Sequence, residues 1–197
     1  SSFLYKWKWA ELYEKISTDN SYPFIEIEKK LLSKLRWKPK FWAILKKTEC
    51  ITDVWAWDWW KAVTLLWGTK WEWTYIPEDY SYDMLTIAAE NIKKWAPWIN
   101  LWSLNVLTNW KHITGKVGNN MYLFLWWTIC NMSNYEIISE LQNMDNNGLV
   151  SWNYILLSFF TAPNTQEEID ELIKIYNSEA NRRFHENWME MLWLSKD

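Results

Sequence analysis

The stretch Asn143-Met144-Asp145-Asn146-Asn147-Gly148-Leu149-Val150-Ser151-Trp152-Asn153-Tyr154 decides the fold that this sequence predicts. A twelve-residue EF-hand loop carries oxygen ligands at positions 1, 3, 5 and 9, a glycine at position 6 and a bidentate glutamate at position 12. The glycine is present as Gly148, but Tyr154 replaces the glutamate, so calcium affinity should be weak or absent. The residual calcium ligands would be Asn143, Asp145, Asn147 and Ser151.

Two further units of the same kind are predicted on either side of this loop. Downstream, Thr165 and Glu168 form a capping box that predicts a helix over 165–176, and the loop after it lacks both the glycine and the glutamate. Upstream, a helix is predicted over 116–129, after a segment without carboxylates. The residues at loop position 8 recur at a nearly regular interval, as repeated units require; they are Ile113, Val150 and Phe184.

Helical patterns extend to the rest of the chain. Apolar residues recur at helical spacing over 23–35 and 80–95, and Thr52 with Asp53 resembles the cap of a helix that reaches about Leu66. Strand signals are few and short. We therefore predict an all-α fold of helix–loop–helix (EF-hand-like) units, with at most short β-bridges between paired loops.

Tryptophan is abundant and glycine is scarce, with 20 and 4 residues respectively. The prediction divides the chain into a Trp-rich helical region of unknown role, 1–100, and a degenerate EF-hand-like region, 101–197. The cluster Trp55-Ala56-Trp57-Asp58-Trp59-Trp60 places indoles on more than one face, so they cannot all be core. One interpretation is an aromatic binding surface. The other is that some tryptophans are engineered or stand for other residues, since the abundance of Lys, Asn and Ile indicates AT-rich coding, which disfavours the tryptophan codon.

Charge and cysteine content limit the function classes. The chain of 197 residues has 21 basic and 24 acidic side chains, a net charge of −3, which gives no basic excess for binding nucleic acid. No apolar run is long enough to cross a bilayer, so no transmembrane segment is predicted. Cys50 and Cys130 are isolated, which favours thiols in a reducing, cytoplasmic compartment and leaves a disulfide between them open.

No motif of enzymatic chemistry is recognisable. His112 and His185 are the only histidines, and neither has a serine, cysteine or aspartate at a recognisable catalytic or metal-ligand spacing. The sequence contains no P-loop, GxGxxG or GxSxG pattern. We therefore predict a protein without a catalytic centre and without a cofactor, calcium being expected only if the loop over 143–154 retains some affinity.

The C-terminal third carries a family resemblance. The residues that carry it are Gly148-Leu149-Val150-Ser151-Trp152, then Ile155-Leu156-Leu157, Pro163 with the acidic helix 167–171, and the closing Phe184, Trp188 and Leu192-Trp193-Leu194. On these residues the segment 135–197 resembles the C-terminal region of the sperm flagellar protein 2 family of the ciliary central apparatus. The resemblance implies a non-enzymatic subunit of a ciliary or axonemal assembly that docks to other protein subunits.

Three functions are compatible with these patterns. The first is a structural interaction module that holds partners in an apolar groove without calcium. The second is a calcium-sensor or calmodulin-like protein with one weak site at 143–154, and the third is a lectin-like or membrane-surface protein that uses exposed indoles. The residues predicted to line the groove are Ile137, Ile138, Leu141, Leu156, Phe159, Phe160, Ile173 and Met189.

Overall fold

The structure, a computed structural model, describes residues 22–57, 59–68, 73–107, 118–125, 128–147, 154–159, 161–179, 181–183 and 185–186. The elements, in chain order, are α1 (Phe24–Arg36), α2 (Pro39–Leu45), β1 (Cys50–Val54), α3 (Trp60–Leu66), β2 (Thr74–Asp79), α4 (Tyr82–Trp95), β3 (Asn100–Leu101), β4 (Asn105–Val106), β5 (Asn120–Phe124), a 3-10 turn (Thr128–Asn131), α5 (Asn134–Asn147), β6 (Tyr154–Leu157) and α6 (Gln166–Tyr176).

Six strands form one parallel sheet in the order β3-β2-β1-β5-β6, with β4 also pairing with β2. The central strand β1 pairs with β2 on one side and with β5 on the other, so that Asp53 lies opposite both Pro77 and Leu123. Parallel neighbours need long crossover connections, here supplied in part by α3 and α4. The architecture is therefore α/β, and the strand order reverses direction at β1.

The three central strands are buried along their whole length. Every residue of Cys50–Val54, Thr74–Asp79 and Asn120–Phe124 is buried, as in strands that are covered on both faces. The helix α4 follows β2 because Ser81 caps it, its side-chain oxygen accepting a hydrogen bond from the backbone N–H of Met84. Its buried side chains recur at helical spacing; they are Met84, Leu85, Ala88, Ala89 and Ile92.

The predicted all-α fold is wrong. Thr52 and Asp53 lie inside β1, and the helix predicted after them begins only at Trp60. The segment 116–129, predicted to be a helix, contains the strand β5. A short strand buried on both faces shows no alternation of apolar and polar residues, so its threonine and aspartate resemble helix caps.

The predicted EF-hand organisation is wrong as well. The helix α5 continues through Asn147 and therefore includes the first five positions of the proposed calcium loop. The last position, Tyr154, begins β6 and pairs with Met121 of β5. Three predicted helices are confirmed, namely α1, α4 and α6. The capping box of Thr165 and Glu168 is also present.

The chain forms two compact units, one of residues 1–28 and 160–197 and the other of residues 29–159. The whole sheet belongs to the second unit. The boundary predicted near residue 100 stays a prediction. In the part of the chain that the structure describes, no helix combines the length and apolar character that crossing a membrane would require.

Candidate functional site

The candidate site lies where β1, β2 and β5 end. Since the three strands are parallel, their carboxyl ends meet at one edge of the sheet, marked by Val54, Asp79 and Phe124. In open parallel sheets, ligands bind outside this edge at the point where the strand order reverses. That point is β1, so the loop after Val54 is the expected ligand-binding loop.

The backbone of this loop is left-handed at two residues. Trp55 has a φ of 58° and Trp57 a φ of 51°, and they are the residues other than glycine with positive φ in the described part of the chain. Between them, the backbone N–H of Ala56 donates to the carbonyl oxygen of Glu78 at 2.9 Å. The loop thereby continues the pairing of β1 with β2 beyond the end of the strand.

Asp79, the last residue of β2, links this loop to α4. Its Oδ2 accepts a hydrogen bond from the backbone N–H of Trp57 at 3.1 Å, and its Oδ1 accepts one from the backbone N–H of Ser81 at 2.9 Å. Burial raises the pKa of Asp79 from 3.8 to about 6, against the opposing effect of these two hydrogen bonds and of the Lys61 charge. A carboxylate has about four acceptor positions, so each oxygen can still accept a hydrogen bond from a ligand.

Two more carboxyls and one amino group are buried at the same edge. Asp53 Oδ2 accepts from the Tyr75 hydroxyl at 2.8 Å, and Glu78 Oε1 accepts from the Asn105 amide at 3.0 Å. Lys61 is 1% exposed, and its Nζ donates to the carbonyl oxygen of Trp55 at 3.4 Å. Polar groups with so little access to water need such partners, and here those partners fix the loop on the sheet edge.

An apolar cluster covers the remainder of the edge. Its buried members are Val54, Trp55, Leu107, Tyr122, Phe124 and Met132, and partly buried Trp57, Tyr80, Ile129 and Ile137 pack against it. The Trp55 ring lies 6.3 Å from the Trp57 ring and 5.9 Å from the Tyr80 ring, both in edge-to-face geometry. The two indoles therefore occupy space directly beside the end of β1.

The residues predicted from the sequence lie elsewhere, with one exception. Ile137 packs against the apolar cluster, whereas Ile138 and Leu141 of α5 are exposed. The other described residues of the proposed groove are Leu156, half-buried in β6, and Phe159 and Ile173, both exposed. Phe160 and Met189 lie outside the described residues, so the groove stays a prediction.

Three of the four proposed calcium ligands do not sit on a loop. Asn143, Asp145 and Asn147 belong to the helix α5, and Ser151 lies outside the described residues. Residues 22–57, 59–68 and the later described ranges contain no group of three or more His, Cys, Asp or Glu side chains placed to hold a metal ion.

Sequence reasoning missed Asp53, Lys61 and Asp79. A signal was available: Asp79 lies 22 positions after Trp57. Nucleotide-binding α/β folds place an acidic residue about 20 positions after the first strand–helix turn. The glycines that normally mark such a turn are absent from 55–60, where tryptophans occupy four positions.

Comparison with known proteins identifies a family. A family model described as "Histidine-specific methyltransferase, SAM-dependent" matches residues 1–193. No curated protein sequence matches the chain. The family match shows that the resemblance to the sperm flagellar protein 2 family is wrong. It also overturns the predictions of a protein without a catalytic centre, of a structural module or calcium sensor, and of a chain without a cofactor, because S-adenosylmethionine is implied.

Proposed function

Because the chain belongs to the family of histidine-specific, SAM-dependent methyltransferases, we propose that it binds S-adenosylmethionine over the carboxyl edge of its sheet and methylates a nitrogen of histidine. The observation that carries the proposed binding mode is the position of Asp79. It ends the strand beside β1, and its two oxygens are already fixed by the backbone N–H groups of Trp57 and Ser81.

The polar groups of the edge suit a nucleoside. An acidic residue at the end of the second strand binds ribose hydroxyls in nucleotide-binding α/β folds, and Asp79 has that place here. Its orientation is set in advance by two backbone donors, so little side-chain entropy would be lost on binding. Asp79 would therefore hold the ribose of the cofactor.

The other groups of the edge would act on the rest of the cofactor. Phe124, Leu107 and Met132 are buried in one cluster with Trp55 and would offer a purine ring apolar surface where that indole does not cover them. Asp53 and Glu78 are completely buried, and carboxyls at this edge favour a cationic ligand. S-adenosylmethionine supplies a methyl group on a positively charged sulfur, which the lone pair of a histidine nitrogen can take while the carbon–sulfur bond breaks and a proton leaves the nitrogen.

The test uses the protein isolated from the cells that make it. Calorimetry should show saturable binding of S-adenosylmethionine, and incubation with histidine should give methylated histidine, identified by mass spectrometry. Lysine is the matched acceptor control, because it offers an amine of similar size without an imidazole. The proposal is overturned if the protein does not bind S-adenosylmethionine at millimolar concentration and transfers no methyl group to histidine or to a histidine-containing peptide.

A further inference from the structure

Positive φ angles fall on two kinds of residue in the described chain. They are Gly68 and Gly118, with φ of 75° and 133°, and Trp55 and Trp57, with φ of 58° and 51°. A left-handed backbone is unfavourable for an L-residue and is an outlier for a bulky side chain, whereas glycine adopts it readily. Neither asparagine nor aspartate, which tolerate this conformation better than tryptophan, shows it in the described ranges.

The strained conformation is imposed by the sheet and not by the indoles. The backbone N–H of Ala56 is bound to the Glu78 carbonyl, and the backbone N–H of Trp57 is bound to the Asp79 carboxylate. Both contacts use main-chain atoms of the loop, so they would form with any residue at positions 55 and 57. The contacts that hold the loop on the sheet therefore do not depend on which side chains stand at positions 55 and 57.

The side chains at these positions occupy the space where the ligand is expected. Trp55 is 7% exposed and packs against Phe124, Leu107 and Met132 at the edge of the sheet. The first strand–helix turn of nucleotide-binding α/β folds is rich in glycine because the backbone must approach the ligand closely. Indoles at 55 and 57 prevent that approach, whereas glycines would leave the edge open.

Other tryptophans also occupy positions that an indole does not suit. The Nε1–H of Trp60 is buried without a hydrogen-bond acceptor among the described residues, which is unfavourable for a polar group. Trp37 and Trp67 follow the ends of α1 and α3, and both are exposed, so large apolar side chains lie in water there.

We infer that positions 55 and 57 are glycine positions, and that the cells that make this protein insert glycine there by reading the codon UGA as glycine. UGA is read as tryptophan under some genetic codes and as glycine under others. One reassigned codon would thus explain both the 20 tryptophans and the 4 glycines. It also suits AT-rich coding, because UGA contains one G fewer than the ordinary tryptophan codon UGG. The inference does not depend on the proposed function.

Tandem mass spectrometry of the protein from its own cells tests this directly. Trypsin cleaves after Lys47 and Lys61, and the peptide 48–61 contains both positions. The fragment series should show glycine at 55 and 57. Tryptophan at both positions overturns the inference. The peptide 175–182 contains no tryptophan and is the control, since its mass is the same under either reading.

A second measurement tests whether the indoles block the site, and this arm rests on the proposed function. The chain with Trp55 and Trp57 is compared with the Trp55→Gly/Trp57→Gly variant for the shift in Tm caused by S-adenosylmethionine. The variant should bind at least about tenfold more tightly, a difference of about 1.4 kcal/mol. The matched control is Trp37→Gly/Trp98→Gly, which removes two exposed indoles outside the loop. Equal affinities overturn the blocking role, whereas binding by none of the three contradicts the proposed function and leaves the peptide result to decide the codon reading.

Discussion

The Oδ2 of Asp79 lies 3.1 Å from the backbone nitrogen of Trp57, and this hydrogen bond ties the end of β2 to the loop that follows β1. The contact joins two strands that are adjacent in the sheet but 22 positions apart in the chain. It fixes the loop conformation and the direction of a buried carboxylate at the same time.

The charge of Asp79 should lower stability near neutral pH. Burial raises the pKa of this carboxyl from 3.8 to about 6 in the folded protein, so folding favours the protonated form. Protonated Asp79 therefore contributes fully to the free energy of unfolding below about pH 4, and this contribution is lost as the pH rises through about 6. The loss amounts to at most about 3 kcal/mol. Urea unfolding from about pH 4 to about pH 7 measures it. The Asp79→Asn variant should show a flatter profile, and an unchanged slope would contradict the assignment to Asp79.

The same residue should govern cofactor affinity. In the background that carries glycine at positions 55 and 57, Asp79→Asn removes the charge that would bind the ribose hydroxyls. A hydrogen bond to a charged group contributes about 1.5–3 kcal/mol, so calorimetry should show affinity for S-adenosylmethionine at least about tenfold lower. Asp83→Asn is the matched control, since Asp83 is exposed in the first turn of α4. Equal losses in both variants would argue against a ribose contact at Asp79.

Lys61 should shift the titration of Asp79. Its charge lowers the pKa of Asp79, so Lys61→Met should raise that pKa further and move the loss of stability to higher pH. Lys61→Met also removes the hydrogen bond that Nζ donates to the carbonyl oxygen of Trp55, which should cost about 1–3 kcal/mol of unfolding free energy. Unfolding curves over the same pH range report both effects. Lys93→Met, an exposed change in the last turn of α4, should leave both quantities unaltered. If stability is lost over the same pH range in Lys61→Met as in the unchanged chain, the charges of Lys61 and Asp79 do not interact.

The face of α4 that packs inward should be the sensitive one. Leu85 is fully buried, so Leu85→Ala should cost about 2–5 kcal/mol of unfolding free energy through lost burial and the cavity left behind. Ile87, two positions along the same helix, is 36% exposed. Ile87→Ala should cost less than Leu85→Ala, because about a third of Ile87 is already in contact with water. Urea titration of both variants checks the orientation of the helix, and a reversed ranking would contradict it.

The amphipathic helices could be predicted from the sequence, because their pattern is local. The helix α1 has apolar residues at helical spacing, α4 also has a serine cap, and α6 has its capping box within four consecutive residues. The strands could not be predicted in the same way. In β1, Thr52 and Asp53 are buried between neighbouring strands, whereas in isolation they resemble a helix cap. The segment after Asn143 shows the opposite error, since a turn-like sequence is taken into α5.

The candidate site was missed for two physical reasons. Asp53 and Asp79 come together only through the parallel pairing of β1 and β2, which no local pattern reveals. The glycines that would have marked the turn after β1 are replaced in the sequence by Trp55 and Trp57, so no glycine in the sequence indicates its left-handed backbone. Positive φ at two tryptophans is visible only in the structure.

The central place of β1 has a consequence for how the chain acquires its fold. Cys50 pairs with Asn120, so β1, the central strand of the sheet, cannot pair with β5 until about 70 more residues have been synthesised. Contacts between such distant segments raise the contact order, and proteins rich in them fold slowly. During translation, β1 and β2 would therefore expose an open strand edge until β5 has left the ribosome, and this interval is when the nascent chain would be most prone to aggregate.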